Sequence, residues 1–200
     1  MMPELRPWTR QEMMKRVAFF KDLKGSKGGL PDSDLPECER ELINVIGFQP
    51  PKGESAAVSP VGAESSRNSA IPISEGFNLG FARAKPGCGP LMHNHNTNET
   101  FMPITGRWRV AWNEGSDYAF VDVGPCDVVS FPPGAARRFF NITEGEPGVE
   151  HVLLFVVAGS APEAAYTPEA TKRINEYHDG VGAVVSHRGV QRKLLRPVGD

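Results

Sequence analysis

Cysteine is scarce in this chain: three residues in 200, Cys38, Cys88 and Cys126, widely spaced and without a Cys-x-x-Cys pair. So sparse and odd a set offers no disulfide framework and no cysteine-zinc spacing, and it fits a reducing, cytoplasmic location. Charge of neither sign is in excess, with 22 Lys and Arg against 24 Asp and Glu and a formal net charge of −2. Such a balance leaves no electrostatic footprint for nucleic acid or an anionic membrane, and a small-molecule partner is favoured. No stretch approaches the roughly eighteen consecutive apolar residues of a membrane-spanning helix. Residues 1–21, broken by Arg6, Arg10, Lys15 and Arg16, lack the apolar run of a secretory signal. A nucleophile-elbow serine and a phosphate-binding loop are missing too, which leaves hydrolase and nucleotide-binding readings without support. Neither is a helix-turn-helix present to suggest a transcription factor.

What the chain has is enough apolar residue, 40%, to bury one sizeable core, together with 21 glycines and 18 prolines that punctuate it. Thr9 and Glu12 form a capping box ahead of Met13, Met14, Val17 and Phe20, so a packing helix is expected to about Asp22. Residues 24–36 read as loop, 40–48 as a strand, and 50–69, rich in Pro, Gly, Ser and Ala, as a mobile loop. From Gly76 the pattern becomes short strands separated by turns: 76–84, 91–95, 99–104, 107–113, 118–122, 127–131, 137–141 and 150–157. Eight such strands suit an all-β jelly roll. Thr167-Pro168-Glu169 then starts a helix running to about Tyr177 and stopped at Asp179-Gly180, before a polar tail. The expected organisation is an N-terminal extension over 1–75, a barrel over 76–160, and a C-terminal helix and tail over 161–200.

The chemistry-bearing stretch lies between Gly87 and Gly106, where His93, His95 and Glu99 stand two and four residues apart. Side chains alternate along a strand, so regular pairing would turn the two imidazoles and the carboxylate to one side, with Phe101 following. Two neutral imidazoles and a carboxylate with open positions form a ligand set suited to a divalent transition metal, Fe(II) above all, with Mn, Ni or Zn as alternatives. A lone His-x-His pair would mean little. All five fixed residues, glycines included, arise together by chance on the order of one time in ten thousand at this chain's own composition.

This stretch resembles the first motif of the cupin superfamily, Gly-x5-His-x-His-x3-Glu-x6-Gly, with every fixed position present. The segment Cys126 to Asn141 is similar to the second motif, Gly-x5-Pro-x-Gly-x2-His-x3-Asn, with two departures. Cys126 replaces the glycine, and Arg137 replaces the third histidine, a ligand in many members. The resemblance covers about residues 76–158. It implies a cupin double-stranded β-helix, a homodimer as in many cupins, and a metal held by His93, His95 and Glu99. Activities within the superfamily range from dioxygenases to isomerases, decarboxylases, lyases and non-catalytic binding domains. The expected function is a mononuclear non-haem Fe(II) dioxygenase acting on a small anionic or aromatic compound. Redox-neutral metal catalysis and ligand binding without turnover are the alternatives.

Arg137 is the candidate catalytic residue. A guanidinium about 5 Å from a dication, at an effective dielectric near 20, is repelled by about 6 kcal/mol before Glu99 is counted. It can pair with Glu99 in place of a metal, turn to solvent, or await an anionic substrate that bridges it to the metal; the last is the favoured reading. Arg138 alternates to the other face as a surface charge. His151 sits in an apolar strand and reads as core, with a replacement-ligand role as the lesser alternative. His178 and His187 read as solvated, and Cys88 as a small buried hydrophobe. Arg83, Arg107, Arg109, Trp108 and Trp112 fall on strands, where partition between core and surface accounts for the tryptophans.

Overall fold

The computed structural model describes residues 2–49, 59–73 and 75–180, together with the backbone of 183–186 and 189–192. Helix α1 (Arg10–Met14), strands β1 (Gly25–Ser26) and β2 (Glu41–Ile46) and helix α2 (Gly62–Arg67) precede the barrel. The barrel strands are β3 (Phe77–Ala84), β4 (His93–His95), β5 (Glu99–Pro103), β6 (Trp108–Trp112), β7 (Ala119–Val123), β8 (Val129–Phe131), β9 (Arg137–Asn141) and β10 (His151–Ala158). After them come β11 (Ala164–Tyr166), α3 (Pro168–Asp179), β12 (Ala183–Ser186) and β13 (Gly189–Arg192). The strands expected between 76 and 157 are all found, within a few residues at their ends. Among the described residues no helix is long and apolar enough to cross a membrane.

Two antiparallel sheets face each other, in the orders β1-β2-β3-β10-β5-β8 and β11-β4-β9-β6-β7, with β12 and β13 forming a separate hairpin. The quartets β3-β10-β5-β8 and β4-β9-β6-β7 are the two halves of a jelly roll, the all-β fold expected from the sequence. Alternation drives this arrangement: β3, β5 and β9 each bury every second residue. Phe101, Trp108, Val110, Phe139, Leu153 and Phe155 fill the space between the sheets. Gly106 turns the chain at φ +72°, and a Cβ there would lie 2.5 Å from the His151 ring.

The sheets continue past the barrel at both ends. Strand β2 pairs with β3, and β11 pairs with β4, placing Tyr166 opposite His93 and Ala164 opposite His95. Helix α2 is tied to β2 by the Ser65 hydroxyl, which donates to the Leu42 carbonyl at 2.7 Å. In α3 the Thr167 hydroxyl caps the Ala170 N–H, and Ala170 and Ile174 pack with Leu35, Cys38 and Leu91 in a second, smaller core.

Several expectations are corrected. The N-terminal helix ends at Met14 and buries none of its residues, although the Thr9–Glu12 capping box is formed. One capped turn with no buried face has nothing to propagate it, and only a short 3₁₀ turn follows at Phe20–Asp22. In the 50–69 segment, Gly62–Arg67 is helical and anchored, while residues 50–58 lie outside the described residues. Strand β11 has no alternation to announce it and owes its existence to the exposed edge of β4. The backbone after α3 forms the β12–β13 hairpin, and His187 lies outside the described residues.

Candidate metal centre

Strand β4 sets His93 and His95 on one face with Asn94 between them on the other. The chain then bends at 96–98, leaves that sheet and enters the other as β5, beginning at Glu99. Convergence therefore arises differently from the single-strand alternation expected: the carboxylate meets the imidazoles across the barrel interior. One ligand atom from each of His93, His95 and Glu99 lies within 4.8 Å of the others. The second motif supports this corner, since the Gly134 N–H donates to the His95 carbonyl at 2.9 Å.

Hydrogen bonds orient both imidazoles. His93 Nδ1 lies 2.8 Å from the Leu91 carbonyl, and His95 Nδ1 lies 2.8 Å from the Glu163 carbonyl. A carbonyl can only accept, so each Nδ1 carries a proton and each Nε2 turns its lone pair inward. His95 Nε2 stands 3.2 Å from Glu99 Oε2, a separation that a proton or a cation can bridge. Burial, with the neighbouring His95, holds the His93 imidazole down to about 4, so it is neutral near pH 7. Burial works to raise the Glu99 carboxyl, but His95, Arg137 and His93 overcome it and hold the group at about 2. Imidazoles whose outer Nδ1 atoms are tied to carbonyls, beside an ionised carboxylate, offer the donor atoms that a divalent metal uses. The residues present fit such an ion.

Arg137 is fully buried and opposes His93 across the β4–β9 pair. Its Nε donates to Glu99 Oε2 at 2.9 Å and its Nη1 to the Ala135 carbonyl at 2.9 Å. Its Nη2 is buried without a hydrogen-bond partner among the described residues. Of the postures considered from the sequence, the arginine is seen paired with Glu99 and turned away from solvent.

The three candidate ligands open onto a small cleft, with about 30 Å³ of free space, whose barrel wall also includes Phe139 and Phe155. The other wall was not foreseen: Arg40, Leu42 and Pro60 come from the N-terminal extension, with Pro90 beside them. Arg40 is 4% exposed, and its guanidinium donates to Asp32 at 2.9 Å and to the Cys38 carbonyl at 2.8 Å. Asp32, fully buried, also accepts from the Tyr166 hydroxyl at 2.7 Å and the Leu91 N–H at 3.0 Å. No local pattern marks these residues, because the partners are brought together only by the folded chain.

The remaining candidates lie elsewhere. His151 is buried beside Gly106 and faces the Glu146 carboxylate at 3.2 Å. His178, expected in solvent, is buried with Nε2 3.0 Å from the Pro31 carbonyl, because α3 packs onto the extension. Arg138 stacks on Phe140 on the opposite face from Arg137. Arg83 pairs with Glu41 and Arg109 with Asp122, while Arg107 is exposed. Trp108 is core, and Trp112 packs against it beside Phe131. Cys88 is half-buried against the core with its thiol raised by burial, and Cys38 is pushed up to about 12 by the same cause. All three cysteines are free.

No protein-family model and no curated protein matches the sequence. Among solved structures, the chain is similar in fold to a cupin 2 domain-containing protein from Halorhodospira halophila, at 15% identity and a TM-score of 0.45 over 68% of this chain and 75% of that one. It is also similar to oxalate decarboxylase from Bacillus subtilis, at 19% identity and a TM-score of 0.44 over 70% of this chain. A third likeness is to vicilin from hazelnut, Corylus avellana, at 13% identity and a TM-score of 0.45 over 74% of this chain. The chain spans 28% of the length of the decarboxylase and 35% of that of the vicilin.

Proposed function

We propose that this cupin-fold protein is a metal-dependent enzyme, a mononuclear non-haem Fe(II) dioxygenase of a small anionic or aromatic compound, with His93, His95 and Glu99 as its metal ligands. The observation that carries this reading is the pair of imidazoles whose Nδ1–H groups are held by backbone carbonyls, so that their Nε2 atoms converge with the Glu99 carboxylate. When bound, Fe(II) would supply redox chemistry with dioxygen and polarise a substrate oxygen. The chain's own residues do the rest. Glu99 and Arg137 cancel in charge, so a divalent ion leaves the buried site doubly positive and favours an anion. Phe139, Phe155, Leu42 and Pro60 give the cleft apolar walls for the body of the compound.

The test is elemental analysis of protein purified without added metal or chelator, followed by oxygen-consumption assays with aromatic and keto acids. Near-stoichiometric iron is expected, together with loss of loading in Glu99→Ala. Manganese, nickel or zinc at full occupancy would move the reading to redox-neutral isomerisation, decarboxylation or elimination. A wild-type site that stays empty and refuses Fe(II) on reconstitution would overturn it in favour of ligand binding without turnover. Normal metal stoichiometry in Glu99→Ala would refute the three-ligand set.

A further inference from the structure

We infer that Arg137 is a positioning residue for Glu99: it clamps one carboxylate oxygen so that the side chain is presented to the cleft as a metal ligand in a fixed orientation. This inference rests on the reading of His93, His95 and Glu99 as the metal site. Both polar contacts that the Glu99 carboxylate makes among the described residues, from Arg137 Nε at 2.9 Å and from His95 Nε2 at 3.2 Å, fall on Oε2. The guanidinium cannot swing, because Nη1 is tied at 2.9 Å to the carbonyl of Ala135, two residues back along the chain. A planar guanidinium held by both bonds fixes where Oε2 sits.

The β4–β9 register that brings Arg137 opposite His93 makes one strand pair carry both a ligand and the support of another ligand. Among the described residues Nη2 has no hydrogen-bond partner, and Glu99 is the one carboxylate that the guanidinium pairs with.

The experiment titrates the full-length metal-free protein with Mn(II), reading the dissociation constant by calorimetry and the bound ion by electron paramagnetic resonance. Arg137→Gln is expected to weaken Mn(II) binding by about 10–100-fold, the usual effect of losing a ligand's support. Its resonance should broaden as the carboxylate loses its fixed orientation. Arg137→Lys keeps the charge without the two-point fork and should recover only part of the affinity, while Arg138→Lys, on the other face, should bind as the parent does. Should Arg137→Gln not fold, Arg137→Lys alone decides by the same titration. A folded Arg137→Gln or Arg137→Lys that binds within twofold of the parent, with an unaltered spectrum, overturns the inference while leaving the metal site standing. Failure of the parent chain itself to bind Mn(II), Co(II) or Fe(II) would instead remove the metal-site reading.

Discussion

Replacing Asp32 by alanine tests how far the N-terminal extension is built into the site. Asp32 is fully buried and accepts from Arg40, Tyr166 and the Leu91 N–H, and the Leu91 carbonyl in turn accepts from His93. Losing the carboxylate strands the Arg40 guanidinium in a buried position, a loss of about 3–5 kcal/mol. Each of the two orphaned neutral donors adds about 1 kcal/mol. The expected destabilisation is therefore about 5–7 kcal/mol, lowering Tm by about 10–28 °C for a chain of this size. Urea denaturation of the metal-free protein, followed by circular dichroism, measures the free energy, and thermal melts give Tm. Asp32→Ala/Arg40→Met should recover several kcal/mol, because the double variant leaves no uncompensated charge. Release of the Leu91 anchor should also weaken metal binding through His93. A loss below about 1 kcal/mol in the single variant, or strict additivity in the double, would refute the reasoning.

Acid should destabilise the metal-free protein in two stages. His93 is held down to about 4 against an ordinary 6.5, so the unfolded chain takes up that proton first and stability begins to fall below about pH 6.5. Glu99, held at about 2, and Asp32, which Arg40 holds below its ordinary value despite burial, contribute stability that is full above about pH 5 and is lost as pH falls through their folded values. Urea midpoints across pH 8 to 2 check this, and a flat profile from 7 to 4 would contradict the burial of His93. Gly89→Ala would bring a Cβ within 2.0 Å of the Phe139 carbonyl oxygen and 2.7 Å of Phe140 Cα, backbone atoms that cannot yield. It should lower stability by about 1–3 kcal/mol or more. Gly124→Ala, whose nearest neighbour would be 3.8 Å away, should stay within about 0.5 kcal/mol of the parent in the same assay.

The barrel was legible in the sequence because its signals are local. Alternation and turn glycines marked all eight strands, Pro168 and Thr167 marked α3, and the spacing of His93, His95 and Glu99 marked the candidate ligand set. Where residues were legible but their partners were not, the outcome turned on packing. The sequence placed Arg137 beside the site with three postures open to it, and only the folded barrel paired it with Glu99. Arg40, Asp32 and Tyr166 carried no pattern at all, since Tyr166 and Asp32 stand 134 residues apart before the sheets bring them together. The same holds for His178, read as solvated until α3 was seen to cover the extension. Periodicity and turn chemistry act over a few residues and are written in order along the chain. A buried charge or hydrogen-bonding group takes whatever partner the folded chain leaves within reach, and that choice belongs to the tertiary structure alone.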